Sequence, residues 1–241
     1  MNKFILILLL LIPLTANSGM QDIVEKSNPN ALWWVVSSCV YNEQHTYLPA
    51  PCEQVDPEQG YVLLKDMRGK TQFLLIPTSR ITGIESPEIL EPDAINYWLP
   101  AWKARTYVSQ RAGRRLSDRD IGLAINSSYG RTQNQLHIHI DCLKPEVISA
   151  LKASKEEAAG KWFKIRFPQP LHSYQALYVD SLKADPFKLL AQNAKDMSRE
   201  TLAVARMGRG FVLLADTADL KPGGNRGSSE ELLDHACRVA N

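Results

Sequence analysis

Two histidines stand one residue apart in NQLHIHIDC, residues 134–142 of a chain that holds five histidines in all. An imidazole can attack phosphorus as a neutral base, give up a proton as a cation, or bind a metal. Alternate side chains of a strand point the same way, so Gln135, His137, His139 and Asp141 share one face and Leu136, Ile138 and Ile140 the other. The pair alone would also suit a strand that faces solvent. The stretch before it adds Asn126, Ser127, Arg131, Thr132, Gln133 and Asn134, a run of amide, hydroxyl and guanidinium donors of the kind that wraps phosphate oxygens. Asn126 reads as a ribose or phosphate contact, or as a hydrogen bond closing a strand end. His172 and Tyr174 in LHSY are weaker candidates, and His45 and His235 carry no expected role.

Strands and helices must position these groups. Ile121 to Asn126 and Gln135 to Cys142 read as strands joined by the polar loop SSYGRTQN, giving one hairpin. YVLLK at 61–65 and QFLLIP at 72–77, with Gly69 between them, give another. Residues 30–40 read as a short apolar helix. Asp93 to Ala112 reads as a long amphipathic helix with Ile95, Trp98, Leu99, Trp102 and Val108 near one face and a kink at Pro100. Its arginine-rich end, QRAGRRLSDR, is either a solvated helix end or a contact for anionic headgroups.

From Lys144 onward the pattern restarts. A helix (PEVISALKASKEEAAG), a strand (WFKIRF), a helix after Pro186 and a hairpin (TLAVARMGRGFVLLAD) lead to SSEELLDHACRV, where Ser228 and Glu231 match a capping box. The expected fold is one α+β unit of antiparallel sheet with packed helices, its second half loosely echoing the first as an old duplication with one active half would.

The first residues, MNKFILILLLLIPLTANSG, match a secretory signal cleaved after Ser18. The run from Phe4 to Leu14 spans only about 16 Å as a helix, short for a bilayer of about 30 Å, though an uncleaved anchor is the alternative. Export suits the four cysteines. Of three pairings, Cys39 with Cys52 and Cys142 with Cys237 are favoured, against four buried thiols; the spacing is wrong for zinc. A net charge of +2 over 241 residues provides no field for a polyanion, so nucleic acid is excluded as the main partner.

GRTQNQLHIHIDC resembles the signature of the histidine-triad superfamily. Together with GYVLLKD, QFLLIPTSRITGIESP, LAINSSYGRTQN and the C-terminal DHAC, it resembles the bacterial CDP-diacylglycerol pyrophosphatases, a branch of that superfamily. The likeness runs over nearly the whole chain after residue 39. It implies a histidine-triad-like sheet over residues 30–241, and residues 1–18 as a signal peptide or membrane anchor. The implied activity is hydrolysis of CDP-diacylglycerol to CMP and phosphatidate through a nucleotidyl-histidine, with no cofactor or metal, on the periplasmic side of the inner membrane.

By that likeness His137 is the nucleophile and His139 a donor to the reacting phosphate, with Asn126, Arg131, Thr132, Gln133, Asn134 and Gln135 as substrate contacts. Gln135 stands where the superfamily has its first histidine, and it cannot titrate. Two other readings stay open. One is a metal-dependent phosphohydrolase with His137 and His139 completed by His172 or Asp141; the other is a nucleotide- or lipid-binding protein without turnover.

Overall fold

The apolar runs form strands: β1 (Gln54–Asp56), β2 (Tyr61–Lys65), β3 (Phe73–Pro77), β4 (Ile121–Ile125), β5 (Ile138–Cys142), β6 (Trp162–Arg166), β7 (Ser173–Val179), β8 (Glu200–Met207) and β9 (Gly210–Thr217). The computed structural model describes residues 28–154 and 160–240. Among them the nine strands make one antiparallel sheet in the order β1-β2-β3-β5-β4-β8-β9-β7-β6. Outward from the central β4–β8 pair the order β4, β5, β3, β2 is matched by β8, β9, β7, β6. Both predicted hairpins of the first half lie in the sheet, with β5 inserted between β3 and β4.

Strand alternation sorts the core into two faces. Phe73 and Leu75 of β3 pack with Trp98, Ala101 and Val108 of α2 (Trp98–Arg111), and Phe187 and Leu190 of α4 (Pro186–Ala191) join that cluster. Leu74 and Ile76 point the other way, onto Leu32, Val36 and Cys39 of α1 (Ala31–Thr46). Leu74 lies opposite His139, and His139 opposite Ala124. Ala124 belongs to the cluster under Val147, Ile148 and Leu151 of α3 (Pro145–Ala153), so α1 and α3 cover one face and α2 and α4 the other.

Several expectations need correction. The first helix runs on past Cys39 to Thr46, since no breaker occurs before Pro49, and it stops at Tyr47 in the left-handed conformation. The long helix begins at Trp98, not Asp93. Pro100 therefore falls in its first turn, where a missing N–H interrupts no helical bond, and no kink is required. Ile95 and Leu99 are exposed instead of sharing the buried stripe. Ser228 makes no capping bond: its Oγ donates to Asn126 Oδ1, and the Glu231 carboxylate accepts from His172 and Tyr174. β1 and β7 were not anticipated.

Both favoured disulfides form, Cys39–Cys52 and Cys142–Cys237. The expected signal or anchor at 1–18 lies outside the described residues. Among those described, no helix is long and apolar enough to cross a membrane.

Candidate active site

β5 is fixed on both edges, pairing Ile138–Ile140 with β3 and His139–Cys142 with β4, so His139 stands on the α1 face of the sheet with little freedom. The chain just before β5 still follows the line of β3. The Leu136 N–H donates to the Ile81 carbonyl at 2.6 Å, and the Gln135 side-chain amide donates to the carbonyls of Pro77 and Ser79 at 3.0 and 2.9 Å. His137 thus keeps the alternation of the strand although regular pairing starts one residue later. Its ring lies edge-on to that of His139 with centroids 4.9 Å apart.

His137 Nδ1 is 2.7 Å from the Gln135 carbonyl oxygen. A carbonyl can only accept, so Nδ1 carries the proton and Nε2 the lone pair. Burial, followed by the neighbouring His139, pushes the His137 pKa down to about 4. At neutral pH the ring is an uncharged base with one nitrogen committed and the other available.

The β4–β5 loop is built chiefly by its own polar groups. Ser127 N–H donates to Gly227 and Ser127 Oγ to Arg226, which draws residues 226–227 over the loop. A Cβ on Gly130 would come within 2.6 Å of the Gly227 carbonyl, so the close approach needs glycine there. Gln133 Oε1 accepts from the Leu32 N–H at the start of α1 at 2.9 Å. The Asn134 N–H donates to Pro29. Arg131 is spent on a bidentate pair with Glu85, both contacts at 2.6 Å, with its side chain buried.

The C-terminal segment closes the site. Glu230, from a short turn at Ser229–Leu232, places Oε2 3.5 Å from His139 Nε2 and accepts from Asn126 Nδ2 at 3.0 Å. Its other oxygen lies 3.2 Å from His235 Nε2, and His235 Nδ1 lies 3.1 Å from buried Asp141. Asp141 also accepts from Thr71 Oγ1 at 2.6 Å. The order Asp141, His235, Glu230, His139 alternates carboxylates with imidazoles, and the Cys142–Cys237 bridge ties its two strands of chain together.

The charges support one another. Hydrogen bonds that His235 donates to Asp141 and Glu230 raise its pKa to about 9. Burial alone would raise that of Glu230, but His139, His235 and Asn126 outweigh it and hold the carboxyl well below its usual range. Neither ring nitrogen of His139 has a hydrogen-bond partner among the described residues. The Glu230 contact at 3.5 Å is ionic without hydrogen-bond geometry, and a buried imidazole lacking hydrogen bonds is costly unless a ligand completes it.

His137, His139, Asn126, Gly130, Thr132 and Gln133 line one cavity of about 80 Å³ with Leu32, Asp66, Arg68, Leu74 and Glu230. Of the residues singled out in the sequence, Arg131, Asn134 and Gln135 lie outside that lining and brace it. His172 and Tyr174 are bound to Glu231 and stand apart from the pair. Glu230, His235, Asp66 and Arg68 were not anticipated. The favoured pairing of Cys142 with Cys237 contained the signal for His235, since it brings the residue two before one cysteine beside the one before the other. Among the described residues no three His, Cys, Asp or Glu side chains converge as a metal-ligand set.

Comparison with known proteins identifies a family. The family model described as CDP-diacylglycerol pyrophosphatase matches residues 27–241. The chain is 41% identical to the CDP-diacylglycerol pyrophosphatase of Yersinia pestis over 99% of its own length and 95% of the relative's.

Proposed function

The chain belongs to the CDP-diacylglycerol pyrophosphatase family, hydrolases of phospholipid metabolism, and we propose that it cleaves CDP-diacylglycerol through a covalent intermediate on His137. The observation that carries this reading is the bond from His137 Nδ1–H to the Gln135 carbonyl in a ring kept neutral by burial. Nε2 attacks the phosphorus of the CMP moiety, and the bond from that phosphorus to the bridging oxygen breaks. Phosphatidate leaves with the bridging oxygen, taking a proton from His139. Water, losing a proton to the same ring, then attacks the phosphorus, so the P–N bond breaks and CMP departs with His137 restored.

His139 is oriented by Glu230, and Thr132, Arg68 and Asn126 stand at the cavity as donors to phosphate oxygens. Arg131 serves by pinning the loop to Glu85, and Gln135 by pinning the start of β5 to Pro77 and Ser79. Metal is not needed for charge neutralisation in this scheme, because the cations belong to the chain.

The His-x-His at the head of β5 and the matched strand order about β4–β8 support a histidine-triad-like fold that was duplicated with one half active. Two disulfides require an oxidising compartment. Together with a signal peptide or anchor at residues 1–18, they support a location on the periplasmic side of the inner membrane.

The test is a rapid acid-free quench during turnover of substrate labelled in the CMP moiety. A phosphorus–nitrogen bond survives alkali and is released by acid, and peptide mapping should find the label on His137. Label on His139 would overturn the assignment, and no label at full activity would mean direct attack by water.

A further inference from the structure

We infer that the outer face of α1 is the surface by which the enzyme sits on the bilayer that holds its substrate, an inference that rests on the reading of the substrate as a membrane lipid. Residues three or four apart on a helix share a face. Leu32, Val36 and Cys39 bury one side of α1, and on the opposite side stand Trp34, Ser38, Tyr41 and His45, a stripe with no acidic or basic residue other than His45. Trp34 is 63% exposed and Tyr41 60%, and just past the helix Tyr47 is 84% and Leu48 68% exposed. Four large apolar side chains exposed on one helix and the residues just past it call for a partner, and tryptophan and tyrosine are the residues that settle at the headgroup level of a bilayer.

Position identifies that partner. Leu32 lines the catalytic cavity and its N–H is held by Gln133, so the stripe starts within one turn of the site. Arg68, at the cavity, has no ion pair among the described residues, and Arg80 lies over the Trp33 ring. Both are placed to meet lipid phosphates. The alternative candidate, the arginine-rich end of α2, is on the other face of the sheet: α2 packs on Phe73 and Leu75, whereas α1 and His139 share the face of Leu74. A lipid drawn from a surface under α2 would have to pass around the sheet to reach His137. The Cys39–Cys52 bridge holds α1 to the loop that leads into β1 and keeps the stripe at a fixed angle to the cavity.

The full chain carrying Trp34→Ser, Tyr41→Ser and Leu48→Ser together tests this. It is assayed on CDP-diacylglycerol in phosphatidylethanolamine–phosphatidylglycerol vesicles and on a short-chain CDP-diacylglycerol dissolved as monomers. The expected result is a loss of at least about tenfold in kcat/KM on vesicles, with the soluble substrate turned over within about twofold of the parent. Lipids brominated near the headgroup should also quench parent fluorescence more than that of Trp34→Phe. Undiminished vesicle turnover overturns the proposal. So does an equal loss on both substrates, and so does a parent dimer that the triple variant turns into a monomer, which would assign the face to a second copy. Failure of the catalytic reading looks different, since the parent would then turn over neither substrate.

Discussion

The Glu230 carboxylate lies 3.5 Å from His139 Nε2, joined to it by no strand pairing and reaching it from the last fifteen residues of the chain. Asn126 and His235 hold that carboxylate on its other sides. Glu230→Gln keeps a side chain of the same shape while removing the charge opposite His139. We expect kcat to fall about 10²–10³-fold, within the range for lost acid–base assistance, with KM little changed. The pH profile of kcat should move with it. An unchanged profile alongside a lower kcat would reduce Glu230 to a purely structural role.

His235 makes stability depend on alkaline pH. Its folded pKa, about 9, lies above the ordinary value near 6.5, so its contribution is fully present below about 6.5 and is lost as pH rises through 9. Its ring is over one third exposed, and screening reduces the contribution to the order of 1 kcal/mol. Urea unfolding at pH 7 and pH 10 should show that decline. In His235→Asn the decline should be smaller, and an identical decline would remove His235 as its source.

His137 works at the acid end in the opposite sense. Its pKa, pushed down to about 4, means that the unfolded chain takes up a proton near 6.5 that the folded chain refuses. Stability should therefore fall between about pH 6.5 and 4. Activity should fall over the low end of the same window as Nε2 is protonated. His137→Asn, followed by urea unfolding at pH 7 and pH 4.5, should lose less stability on acidification than the parent.

The two disulfides should differ in what their loss does. Cys142–Cys237 closes a separation of 95 residues and holds the segment that carries Glu230 and His235, whereas Cys39–Cys52 closes 13. Chain entropy alone assigns about 4–5 kcal/mol to the first and about 3 to the second. Cys142→Ser/Cys237→Ser should also lower kcat on the short-chain substrate, while Cys39→Ser/Cys52→Ser should leave it within about threefold of the parent by the same reasoning. Equal kcat in both would separate the bridge from the site.

Local pattern made the sheet legible and left the closure of the site hidden. β2, β3, β4 and β5 follow from runs such as YVLLK and LHIHIDC, where alternation states both strand and face. The same alternation gave the faces of Gln135 and Asp141 but not their partners. It placed them correctly on the face of the histidines, but could not say that Pro77 and Ser79 would take the amide of one, or Thr71 and His235 the carboxylate of the other. β7 was missed although Ser173, Tyr174, Gln175 and Ala176 alternate exposed and buried as a strand does. Glu230 was unreadable for a different reason: SSEELL looks like an ordinary helix start, and its meaning comes from Asn126, more than 100 residues earlier.

Chelation should leave the reaction intact. The nucleophile is a side chain, and Arg68, Thr132 and His139 are donors that need no metal to act on phosphate oxygens. Turnover after exhaustive EDTA dialysis should match that of the untreated enzyme. Loss with recovery on adding zinc would move His137 and His139 from nucleophile and donor to ligands.

His139 is used twice in the proposed cycle, and the two uses are unequal. In the first step the leaving group is a phosphate monoester, which departs as a stabilised anion and asks little of a proton donor. In the second the attacking group is water, a far weaker acid, which needs a base to become an effective nucleophile. Removing the ring should therefore slow breakdown of the intermediate more than its formation. His139→Ala is expected to lose about 10²–10⁴-fold in steady-state kcat, the range for lost acid–base assistance, and to accumulate labelled His137 toward one equivalent per chain under manual quench. His137→Ala should neither turn over nor take label. If His139→Ala is slow yet never accumulates label, formation is the step that His139 serves, and its role lies with the leaving group.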